Sequence, residues 1–130
     1  WSDALKVSKI CEYFAGKYGL SEYMTNQLRI AAILHPIGKI LMLSVPGYLE
    51  EITQLTEEKN ISWEEAEREK YRTSNFEVGA YLLGVWNLPE PIIEAISNIE
   101  ITHTNDFSSL SGLLKMAYLE AHPPKTNENE

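Results

Sequence analysis

The chain has little of several things, and each shortage narrows what it can be. It contains one cysteine, Cys11, in 130 residues, so it has no internal disulfide framework and no cysteine-based zinc site of its own. Cys11 falls on the apolar side of a helical pattern and reads as a core thiol, which fits a reducing, cytoplasmic compartment. Basic residues are also few. Eleven Lys and Arg against nineteen Asp and Glu give a formal net charge of -8, and the eleven are scattered rather than gathered into a stripe. A nucleic-acid surface needs clustered cations to displace phosphate counterions, so the charge argues against DNA or RNA binding. Long hydrophobic runs are missing too. The most apolar stretches are cut by His35, Pro36, Lys39 and Pro46, well short of the roughly 18 uncharged residues a membrane span needs. Residues 1 to 20 carry charges throughout and do not resemble a signal peptide. The start at Trp1, without methionine, suggests a piece of a longer protein.

What remains is ordinary globular material, 44% hydrophobic and 23% charged, in one domain's length. Ala4, Val7, Cys11, Phe14 and Tyr18 follow one helix face and Gly19 stops it. Ser21 offers a cap to a second helix carrying Met24, Leu28, Ala31, Ala32 and Leu34, which Pro36 should end at His35. Ile37 to Leu43 is short and apolar; its composition would allow a strand, but its neighbours are helical and no partner strand exists. Tyr48, Leu49, Ile52 and Leu55 form a third segment ending near Asn60. Ser62-Trp63-Glu64-Glu65 and Ser74-Asn75-Phe76-Glu77 read as capping boxes. The second opens a run through Val78, Tyr81, Leu82, Val85 and Trp86. Pro89 or Pro91 starts a helix with Ile92, Ile93 and Ile96. Asp106 is placed to cap a last helix, with Phe107, Leu110, Leu113, Leu114, Ala117 and Leu119 inside. Residues 1 to 122 are therefore expected to form one all-α domain, and the polar tail 123 to 130 to be disordered.

Chemistry-bearing motifs are sparse. There is no H-E-x-x-H pair, no P-loop and no dinucleotide glycine fingerprint. His103 and His122 fall in or beside loops and read as solvated. Glu57-Glu58 and Glu64-Glu65-Glu67 read as a solvated acidic face. His35 stands apart, at a helix end inside an apolar stretch.

Three segments carry a resemblance. Residues 33 to 39, ILHPIGK, resemble the LLHDIGK core of the HD superfamily of metal-dependent phosphohydrolases. The stretch NFEVGAYLLGVWNLPEPIIEAI (75 to 96) is similar to the corresponding run of HDOD domains, the HD-related output domains of bacterial signalling proteins. The opening WSDALKVSKICEYFA matches their first helix. The likeness runs from Trp1 to about Ala121. It implies an HD-like helical bundle of about six to seven helices, with Gly38 and Gly79 at close helix contacts and Trp86 and Leu88 in the core. The Gly-Tyr-Pro element of the HD-GYP cyclic-dinucleotide phosphodiesterases is absent.

Active HD proteins bind divalent metal through histidines and aspartates, and the metal activates water for phosphoester cleavage. By this likeness, the opening histidine of that set falls on Asp3. The His-Asp pair falls on His35 and Pro36, and the next histidine on Asn75. A later His-His pair falls near Ile99 and Glu100, and the distal aspartate near Tyr118. Only His35 is retained, and Pro36 has no ligand atom. The expectation is a domain with no catalytic residues, no cofactor and no metal. It would act as the output module of a response regulator, through a protein partner, an upstream receiver domain or a homodimer, with the Tyr48 to Tyr71 face and Trp63 as contact surface. The alternative is an HD phosphohydrolase with an altered divalent-metal site, built from Asp3, His35, Glu100 and His103. A third reading is a small-ligand sensor using the emptied pocket.

Overall fold

Serine side chains set where four of the helices begin. The oxygens of Ser21, Ser62, Ser74 and Ser109 each accept the backbone N–H three residues on, a cap contributing about 1 kcal/mol apiece. The computed structural model describes residues 2–100 and 108–122. Trp1, His103, Asp106, Phe107 and the tail 123–130 lie outside the described residues. Eight helices occur among the described residues: α1 (Ser2–Lys17), α2 (Glu22–Leu34), α3 (Ile37–Met42), α4 (Tyr48–Lys59), α5 (Trp63–Tyr71), α6 (Asn75–Val85), α7 (Glu90–Ser97) and α8 (Leu110–Ala121). The all-α class is as expected. The count exceeds six to seven because the short segment at Ile37 winds as a separate helix.

Capping differs in one detail. Ser62 and Glu65 form the reciprocal box. At α6 only the serine half is made; the Glu77 carboxylate instead accepts from Thr73 Oγ1 at 2.6 Å, while Ser74 Oγ donates to Glu100 at 2.6 Å.

Two apolar clusters form. The larger joins α1, α2, α6, α7 and α8 through residues such as Phe14, Leu28, Leu83, Ile96, Ile99 and Leu114. Cys11 lies in it, and burial pushes its thiol up to about 12, as a core thiol should behave. The smaller joins Met42, Tyr48, Ile52 and Ala66, flanked by Trp63 and Tyr71. Tyr48 is therefore interior, and the expected contact face from Tyr48 to Tyr71 is corrected: its aromatics turn inward. Trp86 is corrected in the opposite sense. Phe76, Gly79, Ala80 and Leu83 form the inward side of α6, which leaves Tyr81 and Val85 on the far side. Trp86, at the helix end, is 56% exposed. Leu88 packs on the core as expected.

The clusters are joined where α3 crosses α6. A Cβ on Gly38 would lie 1.7 Å from the Asn75 carbonyl oxygen, and one on Gly79 would lie 3.1 Å from the Gly38 nitrogen. Both glycines are close-approach positions, which explains their place inside helices despite a cost of about 1 kcal/mol each against alanine.

Candidate functional site

Pro36 explains how His35 is held. Proline has no N–H, so it cannot donate to the carbonyl of Ala32, the partner of position 36 in a continuing helix. His35 Nδ1 lies 2.7 Å from that oxygen instead. A carbonyl only accepts, so Nδ1 carries a proton, and in the neutral ring Nε2 presents a lone pair. The helix ends at Leu34 as expected, although His35 keeps right-handed helical dihedrals (φ -59, ψ -28) rather than the extended form usual before proline. Tertiary packing has overridden the local preference. The ring is 2% exposed, and its Nε2 has no hydrogen-bond partner.

That ring borders a cavity of about 420 Å³ lying between the two apolar clusters. The cavity gathers Asp3 from α1, Pro36 and Lys39 around the start of α3, and Asn75 from α6, together with Glu64, Tyr118 and His122. Five of the positions singled out from the sequence, Asp3, His35, Pro36, Asn75 and Tyr118, are thus brought together. Two are not. Ile99 is fully buried in the main core. Glu100 lies elsewhere, held by Arg68 through Nε at 2.7 Å and Nη2 at 3.1 Å. The altered metal set of Asp3, His35, Glu100 and His103 is not assembled by the described residues, since Glu100 is committed to Arg68 and Ser74 and His103 lies outside them.

Three residues in and beside this site were read differently from sequence. His122 is not a solvated side chain: its Nε2 lies 2.5 Å from Asp3 Oδ1 and its Nδ1 3.0 Å from the Tyr118 carbonyl. Both ring nitrogens thus face oxygen atoms. Its signal was present as the four-residue spacing from Tyr118, one helical turn on. Glu67 and Glu64 are not a solvated acidic face. Glu67 is 0% exposed; Oε1 accepts the backbone and side-chain N–H groups of Asn75, each at 2.8 Å, and Oε2 accepts from the Tyr48 hydroxyl. Glu64 faces the cavity, and burial raises its pKa. Tyr118 reaches it with a long hydroxyl contact of 3.4 Å, and burial pushes that phenol well above its usual value.

The divalent metal that the resemblance implies does not fit this donor set. Pro36 offers no ligand atom, Asn75 is turned toward Glu67, and Tyr118 is held as a neutral phenol. Asp3 is paired with His122. Among the described residues no three His, Cys, Asp or Glu side chains are placed to hold a metal ion.

Burial lowers the His35 pKa, against smaller raising effects from the Ala32 carbonyl and the Asp3 charge. The fold therefore favours the neutral ring. The stability this contributes is complete above the unfolded value of about 6.5 and is lost as pH falls from there through the lower folded value. Thermal melts from neutral to mildly acid pH should show this loss, and His35→Phe should flatten it. Glu64, shifted upward, gives the opposite slope in both proteins and cancels in the comparison. A His35→Phe profile parallel to wild type would show that His35 is not the group responsible.

No helix among the described residues is long and apolar enough to cross a membrane. The fold matches that of a Shewanella amazonensis protein provisionally named a phosphohydrolase, with a TM-score of 0.77, 24% identity, and 93% of this chain against 44% of that one. It matches an HDOD domain protein from Geobacter sulfurreducens with a TM-score of 0.78, 22% identity, and 92% against 41% coverage. An uncharacterised protein of Treponema pallidum (strain Nichols) is 31% identical over 102 residues, 74% of this chain and 19% of that protein. The chain thus spans about a fifth of that relative and less than half of either solved chain. The HDOD domain model matches residues 1–101, and the chain belongs to the HDOD domain family.

Proposed function

We infer that this is a non-catalytic regulatory domain, an output module in a bacterial signal-transduction protein such as a response regulator, acting through protein contacts. One observation carries the reading. The scaffold and its cavity are retained, while the positions that would bind metal carry Pro36, a committed Asn75 and a phenol at Tyr118. Without a metal to lower the pKa of water, phosphoester cleavage loses its nucleophile. The exposed apolar side chains of Ile40, Leu41, Leu43, Val45 and Leu49, on and after α3, support a contact role, since a cluster of that kind commonly marks an interaction surface. A receiver domain upstream would act by biasing how this surface packs, a local charge event read out through a two-state contact.

Two measurements test it. Protein purified without chelator should carry no stoichiometric Mn, Fe or Zn, and cyclic-dinucleotide cleavage should not exceed that of His35→Ala. In the full-length protein, Ile40→Asp with Leu43→Asp should abolish signalling output while leaving the melting temperature of the domain unchanged. One tightly bound metal per chain, or wild-type output from the double variant, would overturn the reading.

A further inference from the structure

His35 Nε2 is a buried acceptor facing another acceptor. Asp3 Oδ2 lies 3.9 Å away, too far for a hydrogen bond and close enough for one nitrogen with two N–H bonds to reach both atoms at about 2.9 Å. With Nδ1 committed to the Ala32 carbonyl and burial favouring the neutral ring, Nε2 has no proton to donate. A buried acceptor without a donor costs roughly 1–3 kcal/mol, and a facing carboxylate adds repulsion. The missing complement is a group with two donor hydrogens, and beside a carboxylate a cationic one binds most strongly.

The surrounding walls favour an organic cation over a bare one. Trp63, Phe76 and Tyr118 line the cavity, and aromatic faces attract ammonium and amidinium groups. Trp63 already takes one such group, the Lys39 ammonium, 4.4 Å from its ring centre. Glu64 adds a second carboxyl group on the cavity wall. The volume of about 420 Å³ far exceeds the ~30 Å³ share of one water. Asp3, half-exposed and tied to His122, forms the solvent-facing wall of the cavity.

We propose that the cavity receives a small organic cation, an ammonium or amidinium on an apolar body, with its N–H groups shared between His35 Nε2 and Asp3 Oδ2 and its body against Trp63, Phe76 and Tyr118. This rests on the metal-free reading of the site and adds a ligand input to the proposed regulatory domain. The same carboxylate that would bind the cation also holds His122, so occupancy acts on the link between α1 and the end of α8.

Benzamidine, a flat amidinium, is a suitable probe, with benzoate as its anionic counterpart. In 15N-labelled protein near neutral pH, the His35 Nε2 resonance should move saturably with benzamidine, with a Kd of about 1 mM or tighter. Benzoate should leave it unmoved. Followed by backbone amide shifts, Asp3→Asn, which retains an oxygen for His122, should weaken benzamidine at least about tenfold, and His35→Phe should do the same. The wild-type resonance needs no variant to fold, so the test stands if either substitution destabilises the chain. No saturable shift would mean the acceptor pair holds only water, and an equal response to benzoate would mean no cation selectivity; either result overturns the proposal. A parallel titration with zinc separates the two readings. Tight zinc binding that blocks benzamidine would refute the metal-free site itself, whereas absence of both would refute the cation site alone.

Discussion

Gly38→Ala is expected to leave little or no cooperatively folded protein. The added Cβ would lie 1.7 Å from the Asn75 carbonyl oxygen and 2.7 Å from the Gly79 nitrogen. Both are backbone atoms inside α6, so no side chain can swing aside. Relief requires α3 and α6 to separate, which strips contact from the junction of the two clusters and pulls Asn75 from Glu67. The expected loss is at least about 4 kcal/mol, exceptional for a single methyl group and comparable with the whole stability of many domains. Thermal unfolding followed by circular dichroism, together with the dispersion of the amide spectrum, checks it. Gly79→Ala is the control. Its Cβ meets the Gly38 nitrogen and Ile37 Cγ2 at 3.1 Å, tight but partly relieved by the isoleucine, and should cost about 1–3 kcal/mol as overpacking does. If Gly38→Ala melts like wild type, the close approach of these helices is wrong.

Glu67→Ala should be the next most damaging change, at about 3–5 kcal/mol. It removes a fully buried carboxylate and strands the Asn75 backbone N–H, the Asn75 amide and the Tyr48 hydroxyl. Each stranded donor costs roughly 1–3 kcal/mol when buried. The Tyr48 hydroxyl also accepts from Trp63 Nε1 at 2.7 Å, so the loss reaches α4 and α5 as well as α6. Glu67→Gln retains an oxygen for Asn75 and should cost only about 1 kcal/mol. Urea unfolding of the two variants gives the comparison. Equal costs would show that neither the retained volume nor the oxygen kept for Asn75 is what Glu67 supplies.

These two residues differ in how visible they were. Gly38 was legible through the ILHPIGK resemblance, which implies a close helix contact at that position. Glu67 was not. It belongs to an acidic run in a segment with few apolar residues, and such runs are normally solvated. Only the tight connection from α5 into α6 brings Asn75 within 2.8 Å of it. Trp86 failed for a related reason. The α6 segment is apolar nearly all round, so its periodicity does not select one face, and packing against α3 and α7 decided which side chains stay in water.

By itself, the sequence determined the helical class and most helix limits. Those features depend on neighbours within about one turn: serine caps, the missing proline N–H, the 3.6-residue repeat of apolar side chains. The assembled site depends on contacts of another kind. Asp3 and His122 are 119 positions apart, and Tyr118 and Glu64 are 54 apart. No local pattern encodes such a pairing. It follows from the order in which α1, α2 and α8 pack around the main core, with α5 and α6 closing the cavity from the other side. A proline in a sequence states that one hydrogen bond cannot form; which lone pair is then left buried without a donor is settled only when the helices have met.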